Sequence, residues 1–280
     1  MRSLLCIFLA LAISALTSAQ QSASLDTRVS SILARMESKD LSTREEAFQD
    51  MTDLLSEEQP PAQASGKTGA FAGFFARHPD QAERVKLGLI QLLASENGLF
   101  VSGKNATPGT LTEEDGEYYA EVIDTVSSLD DERVIPALVG AMTTGGIAQH
   151  GLLKYGDKAL GPVMEQLKNP DALFRAVALS MSVTLLGKRN DPASNKRASD
   201  LVRLYLTDPS PVVRGGAVGD IFCLADRQEF VPTLEKIAKT DPEKFAGKAL
   251  DGGDGEEFYP VRYDARQALR AIQNNKSCGP

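Results

Sequence analysis

The stretch Leu201-Val-Arg-Leu-Tyr-Leu-Thr-Asp-Pro-Ser-Pro-Val-Val-Arg-Gly-Gly-Ala217 decides the fold of this chain. Aliphatic residues at helical spacing lead up to Leu206, and the breakers from Thr207 to Pro211 then predict a turn before the next helix. Asp and Ser are typical helix caps, and Pro is tolerated in the first turn of a helix. The stretch therefore predicts two helices joined by a short turn.

The second helix of this stretch recurs along the chain. An arginine is followed three residues later by alanine at Arg44-Glu-Glu-Ala47, Arg175-Ala-Val-Ala178, Arg214-Gly-Gly-Ala217 and Arg262-Tyr-Asp-Ala265. The tenth place after the arginine is always aliphatic, and the seventh is apolar except at Ser182. Offsets of three, seven and ten share one helix face. Because the unit recurs about every forty residues, it predicts an all-α solenoid of stacked antiparallel helix pairs.

These residues resemble the HEAT repeat family, in particular the short bacterial HEAT-like repeats that are also found in phycobilin lyases. The first helix, the Asp208-Pro209 turn and the Val213-Arg214 start of the second helix carry the match, and it is stronger over 130–274 than before. The resemblance implies a HEAT-like array over residues 20–280, with roughly six to seven helical hairpins. We expect irregular insertions near 95–116 and 247–257, where the sequence is polar or rich in glycine.

The repeated arginines have a structural interpretation. An arginine just inside a helix can direct its forked donors to an acid or a carbonyl of the adjacent turn, and alanine lets neighbouring helices approach closely. In the HEAT-like family, turn acids and such arginines resemble a ladder that links successive units. We therefore expect Arg44, Arg175, Arg214 and Arg262 to link repeats and not to bind a ligand directly.

The first nineteen residues have the composition of a secretory signal peptide. Arg2 precedes an apolar run from Leu4 to Leu16, and Thr17-Ser-Ala19 suits cleavage before Gln20. The run is too short to span a bilayer comfortably, and no later segment approaches the roughly 20 apolar residues of a membrane helix. We predict a signal peptide at 1–19 and a chain without a membrane span after its removal, exported to a periplasm or to the extracellular space.

Charge and cysteine content narrow the function further. The formal net charge is −8, Trp is absent, and removal of residues 1–19 takes away Arg2 and no acid. Nucleic acid binding depends on clustered Lys and Arg, so we expect no nucleic acid partner. Cys223 stands in an apolar stretch that favours a buried thiol, while Cys278 could pair with it or with a second chain.

No residue pattern predicts catalysis, a cofactor or a metal site. His78 and His150 are the two histidines, and neither has ligand or nucleophile spacing. Ser65-Gly-Lys-Thr68 imitates a phosphate-binding loop, but Pro61 replaces the glycine that the motif needs. The acidic segment 251–257 is compatible with weak calcium binding, although its spacing favours a solvated loop.

Two functional hypotheses remain. The first is an exported, non-catalytic scaffold or adaptor that binds a protein or peptide through its curved helical surface. Tyr263, Arg266 and Arg270 are candidate contacts, because Tyr and Arg are favoured at binding hot spots, although the same side chains could solvate a terminal capping helix. The second is an enzyme or chromophore-attachment factor, by analogy with HEAT-like lyases. Fold does not imply activity, and the export signal disfavours this reading.

Overall fold

The computed structural model describes residues 24–57, 67–101, 111–244 and 258–274. The predicted signal peptide and the predicted insertion near 247–257 lie outside these residues. The described elements are helices. Their bounds are residues 24–36 (α1), Leu41–Ser56 (α2), Lys67–Arg77 (α3), Pro79–Phe100 (α4), Glu113–Ser128 (α5), Ile135–Ala141 (α6), Gly146–Tyr155 (α7), Asp157–Glu165 (α8), Ala172–Arg189 (α9), Pro192–Tyr205 (α10), Pro211–Ile221 (α11), Val231–Thr240 (α12) and Pro260–Gln273 (α13).

The helix starts use the capping residues that the sequence predicts. The Asp40 carboxylate accepts the Thr43 main-chain N–H at 2.9 Å, and Asp171 accepts that of Leu173 at 2.7 Å. Such bonds satisfy donors that the first turn of a helix leaves without a partner. At α11, Pro211 occupies the first turn, where a missing N–H costs nothing. The predicted turn before α11 is therefore confirmed, and turns of the same kind precede α2 and α9.

The chain divides into two compact units, residues 1–140 and 141–280. In the second unit, α8 packs on α9, α10 on α11, and α12 on α13. The later helix of each pair also packs on the later helix of the next, so that α9, α11 and α13 form one layer. Pairs that stack on successive pairs define an α-solenoid, and this packing confirms the predicted all-α fold class.

The buried face of the layer follows the predicted offsets. Ala178, Ala217 and Ala265 stand three places after the repeated arginines, and each is 0% exposed. Ser182 breaks the aliphatic pattern at the seventh place and is nevertheless fully buried. A small side chain at the third place leaves room for close packing of neighbouring helices. At Gly216, an added Cβ would lie 3.5 Å from the Ala176 Cβ, which is ordinary van der Waals contact.

In the first unit, the long helix α4 makes contacts with α1, α2 and α5. From α4, Arg84 donates to the Ser30 hydroxyl at 2.7 Å, and Gly88 gives room to the Leu33 side chain of α1. Phe48 of α2 meets Tyr118 of α5 edge to face, with ring centroids 5.7 Å apart. α4 therefore organises the packing of this unit.

The predicted insertion near 95–116 is wrong at both ends. α4 continues to Phe100, and α5 begins at Glu113, where Thr112 and Asp115 form a capping box. Glu96 is fully buried in α4, because it pairs with an arginine of α2, and this pairing keeps a polar run helical. Residues 102–110 lie outside the described residues.

Cys223 also differs from its predicted environment. It lies in the turn after α11, is exposed, and is disulfide-bonded. The predicted buried thiol is therefore wrong. The apolar stretch around Cys223 stops being helical at Ile221, so the thiol leaves the buried face.

Candidate functional site

Arg175 connects two successive helix pairs of the second unit. Its Nε and Nη2 donate to the two carboxylate oxygens of Asp208, at 3.1 and 2.9 Å. Its Nη1 donates to the carbonyl oxygens of Asn169 and Pro170, at 2.9 and 3.0 Å, in the turn that precedes its own helix. One guanidinium therefore closes its own turn and binds the acid of the next turn. Such bidentate pairs fix geometry as well as adding energy.

Arg214 repeats this arrangement one pair later. Nε and Nη2 donate to the Asp241 carboxylate at 2.8 and 3.1 Å, and Nη1 donates to the carbonyl oxygens of Asp208 and Pro209, both at 3.0 Å. Asp208 consequently serves two arginines. Its carboxylate receives Arg175, and its main-chain oxygen receives Arg214.

Arg262 is the last arginine of this series in the described residues. Its Nε donates to the main-chain oxygen of Asp241 at 2.6 Å, and its guanidinium lies 3.8 Å from the centroid of the Tyr259 ring. Asp241 therefore repeats the double role of Asp208. We call the chain of contacts Arg175, Asp208, Arg214, Asp241 and Arg262 the arginine ladder.

The charges of the ladder shift the titration of its members. Burial acts to raise the pKa of Asp208, but the hydrogen bonds and charge of Arg175 outweigh it, so the net pKa is lowered. Asp241 behaves in the same way beside Arg214, and the pKa of Arg214 is raised by its bond to Asp241. Both aspartates are thus held in the ionised form that the arginines need.

Arg44, in the first unit, uses the same donors on a different acceptor. Its Nη1 donates to the Ser38 carbonyl of its own turn at 3.0 Å, while Nε and Nη2 donate to Glu96 at 2.5 and 3.0 Å. Glu96 stands inside helix α4, and the Tyr118 hydroxyl donates to the same carboxylate at 3.0 Å. Burial beside Glu96 raises the pKa of Tyr118 far above its usual range. The result is a buried triad of cation, anion and phenol.

The side of α9, α11 and α13 opposite the alanines is open. Three positions in each helix are exposed or partly exposed. They stand two places before, two places after and five places after Arg175, Arg214 or Arg262. We call this the second-helix face; it comprises Leu173, Val177, Ser180, Val212, Gly216, Gly219, Pro260, Asp264 and Gln267. Leu173 is 48% exposed and Val212 51%. The face thus presents aliphatic side chains and little positive charge.

The three candidate contact residues of α13 do not share one environment. Tyr263 is 46% exposed and lies against Phe258, with ring centroids 5.7 Å apart and the rings tilted by 51°. Arg266 is also exposed, but the equivalent places in α9 and α11 hold Leu179 and Val218, which are 0% exposed. Arg266 therefore occupies a position that earlier pairs use for packing.

Arg270 is exposed in the same way, one turn later, where α9 has the buried Val183. Polar replacements at packing positions are typical of the last unit of a repeat array. This placement favours capping for Arg266 and Arg270, and it leaves Tyr263 beside the second-helix face.

Two carboxylates of the layer lack a cationic partner among the described residues. The Ser180 hydroxyl donates to Oδ1 of Asp220 at 2.7 Å, whereas Oδ2 of Asp220 is buried without a hydrogen bond. Burial raises the pKa of Asp220 to about 7. Asp264 is partly exposed, and burial raises its pKa as well. Neither acid belongs to the arginine ladder.

The histidines of the described chain stand apart from these groups. His78 precedes α4 and lies against Phe74, with ring centroids 5.0 Å apart, and His150 is an exposed residue of α7. The described residues contain no group of three or more His, Cys, Asp or Glu that could hold a metal ion. Within the same ranges, no helix has the length and apolar character needed to cross a membrane.

Comparison with solved structures finds similar chains. The chain matches no protein-family model and no curated protein sequence. A solved structure, "Designed armadillo repeat protein YIII(Dq)4CqI", is similar over 86% of this chain and 98% of its own, at 16% identity and a TM-score of 0.34. A TM-score this low does not establish a shared fold, and the fold class rests on the helix packing described above.

The sequence pattern does not reveal the buried acid Glu96, which falls in the predicted insertion near 95–116. It does not reveal the hydrogen bond from Tyr118 to Glu96, or the buried oxygen of Asp220. A buried acid inside α4 could have been suspected from Arg44, which has no acidic turn at the spacing that serves Arg175.

Proposed function

We propose that this protein is an exported, non-catalytic scaffold of the HEAT-like type that binds a protein or peptide through the second-helix face. The observation that carries the proposal is the exposure of Leu173 and Val212, which stand two places before Arg175 and Arg214 in neighbouring helices of one layer. Exposed apolar side chains in a row mark interaction surfaces more often than isolated ones do.

The local geometry supports the HEAT-like assignment. The Asp208-Pro209 turn and Arg214 are the residues that carry the resemblance, and they form the rungs of the arginine ladder. The ladder is made by the arginines and by turn residues, so the side chains of the second-helix face are not needed for packing. A repeat protein built in this way can change the residues of its binding surface without losing its fold.

Export rests on the signal-like residues 1–19, where Arg2, the apolar run and Thr17-Ser-Ala19 have the order of a signal peptide. Expression of the complete chain followed by fractionation and mass determination tests this step. Recovery of a chain cleaved before Gln20 outside the cytosol is expected, and an uncleaved cytosolic chain would refute export.

The non-catalytic assignment rests on how the chain uses its charged groups. The guanidinium groups of Arg175, Arg214 and Arg44 donate hydrogen bonds to carboxylates and to carbonyl oxygens of turns. Side chains engaged in this way position helices and are not poised for proton transfer. We therefore assign binding, and no reaction, to the protein.

Affinity capture tests the binding function. The mature chain is used as bait on envelope or culture-fluid extract, beside a variant that carries Leu173→Asp and Val212→Asp. The matched control is Leu204→Asp, because Leu204 is 62% exposed on α10, in the other helix layer. We expect one specific protein whose recovery falls at least about fivefold with the double variant and is unchanged by the control. Equal recovery with all three baits would refute the proposed surface.

A further inference from the structure

Helix α13 carries three arginines on one side. Arg262, Arg266 and Arg270 follow one another at intervals of four residues, so they lie about one turn apart, and we call them the terminal arginine row. Arg175 and Arg214, the equivalents of Arg262 in earlier helices, reach the turn of the next helix pair. This side of the helix therefore faces forward along the array. Because no pair follows α13 in the described residues, the row lies at the open end of the described array.

Arg262 differs from the other arginines of the ladder in what its outer nitrogens bind. Arg175 and Arg214 each direct Nε and Nη2 to an aspartate of the next turn. Arg262 instead donates from Nε to the main-chain oxygen of Asp241 in the preceding turn, and its Nη1 and Nη2 have no acceptor among the described residues. The Tyr259 ring lies against its guanidinium, which limits the rotation of the plane. The outer edge of this group therefore has the geometry that binds a carboxylate.

Capping of the array explains polar side chains on this side of α13, but it does not explain three cations. Like charges four residues apart destabilise a helix. The helix dipole opposes a positive charge in the first turn, where Arg262 stands, and favours only Arg270 in the last turn. At Arg175 and Arg214 a carboxylate of the next turn compensates the charge, whereas no described acid pairs with any member of the row. On a chain with a net charge of −8, the row is thus a local positive surface that is complementary to an acidic ligand.

We propose that the terminal arginine row binds an extended segment of a partner protein that has an acidic residue at every second position. A helix rises about 1.5 Å per residue, so arginines four residues apart are spaced by about 6 Å along the axis. In an extended chain, side chains on the same face are two residues apart, which is about 6.6 Å. Three alternate Asp or Glu residues therefore lie opposite the three arginines.

This surface is separate from the second-helix face. Asp264, which belongs to that face, lies on the other side of α13 against Gly215 of α11. Carboxylates are favoured over phosphates as the ligand, because the equivalents of Arg262 in this chain bind aspartates and because the acidic chain repels a dense line of phosphates. The inference goes beyond the proposed function and does not depend on it.

The experiment measures the affinity of the mature chain for a labelled, blocked peptide with three glutamates at alternate positions among serines, by fluorescence anisotropy at about 0.15 M salt. We expect Arg266→Gln with Arg270→Gln to weaken binding at least about fivefold, since two exposed ion pairs are lost. The control is Lys188→Gln with Arg197→Gln, an equal charge change on exposed residues of α9 and α10, which should alter the affinity less than about twofold. A peptide with glutamines in place of the glutamates should not bind.

Several results would overturn the inference. Equal weakening by the two double variants would mean that net charge and not the row attracts the peptide. Equal affinity for a peptide with three adjacent glutamates would refute the alternate spacing. Tighter binding of an oligothymidine of the same charge would assign the row to phosphates. Failure of the glutamate peptide to bind would overturn this inference alone, because the capture experiment tests the second-helix face separately.

Acidic residues of the chain itself are the remaining alternative occupant. The segment 251–257 precedes α13 and contains Asp251, Asp254, Glu256 and Glu257. A variant with all four changed to the corresponding amides should bind the peptide within about twofold of the unchanged chain. An affinity that rises about tenfold would overturn the partner segment and assign the row to residues 251–257. Melting temperatures verify that each variant is folded.

Discussion

The repeated motif, an arginine followed three residues later by alanine, makes different contacts in the two units. In the first unit, Arg44 binds Glu96 from the interior of a helix, with side-chain exposures of 8% and 0%. In the second unit, Arg214 binds Asp241 at a turn, with exposures of 12% and 5%, and the contact is continued by Arg262. The first arrangement is a closed triad, and the second is a rung in a series. The shared motif therefore determines the hydrogen-bond donor, the guanidinium, but not the carboxylate that accepts from it.

The largest effect is expected from Arg44→Met. This change leaves the Glu96 carboxylate buried with only the Tyr118 hydroxyl as a partner, and breaking a buried pair costs about 3–5 kcal/mol. Urea unfolding with a probe in the first unit measures the loss. Arg44→Met combined with Glu96→Leu should recover most of it, and a single variant that loses less than about 1 kcal/mol would contradict the triad.

A smaller loss is expected from Arg214→Ala. It removes a bidentate pair and two bonds to carbonyl oxygens, and a charged hydrogen bond contributes about 1.5–3 kcal/mol. A double-mutant cycle with Asp241→Asn isolates the pair, and Arg214→Lys should restore only part, because lysine cannot fork. Strict additivity of the two single changes would show that this rung carries no coupling.

Asp220 makes the stability of the second unit depend on pH. The folded pKa of Asp220 is raised to about 7, above the usual value in an unfolded chain, so the folded state holds the proton more tightly. Stability is therefore highest below about pH 4 for this group and falls as the pH rises to about 7, by on the order of 4 kcal/mol.

Asp220→Asn checks this sign. The variant should lose the fall between about pH 4 and pH 7 and should be the more stable protein at the upper end. Asp200→Asn is the control, since Asp200 is exposed on α10 and pairs with Lys196. Wild-type unfolding that is flat or strengthens over this interval would contradict the assignment.

Tyr118→Phe should cost about 1 kcal/mol, because one hydrogen bond to Glu96 is lost while the Phe48 contact is kept. Thermal unfolding of the first unit is the measurement. A loss as large as that of Arg44→Met would mean that the phenol, and not the guanidinium, compensates the buried charge.

The smallest effect is expected from Arg266→Ala with Arg270→Ala. Both side chains are exposed at positions that have no following helix in the described residues, so the stability change should stay within about 0.5 kcal/mol. Replacement by leucine at both positions should instead promote association of chains, which sedimentation measures. An unchanged monomer with exposed leucines would argue against a capping role.

Much of the second unit could be predicted from the sequence, because the determinants are local. The Asp-Pro turn and the alanine three places after Arg214 lie within one short stretch, and periodicity is a local signal. The acceptor of Arg44 could not be predicted in this way, because Glu96 lies in a different helix, far along the chain. The sequence around Glu96 also looks like a polar loop. The orphan oxygen of Asp220 depends on how closely α9 and α11 pack, and periodicity does not report such distances.

The double role of Asp208 and Asp241 has an engineering consequence. The carboxylate of each aspartate accepts hydrogen bonds from the preceding arginine, and its main-chain oxygen accepts one from the following arginine. Successive helix pairs are therefore joined by the same set of contacts. Excision of residues 176–214 would place Arg175 opposite Asp241 in the position that Arg214 held. The protein should tolerate the removal of one complete helix pair better than the removal of a few residues from a single turn, since only the former preserves matching ends.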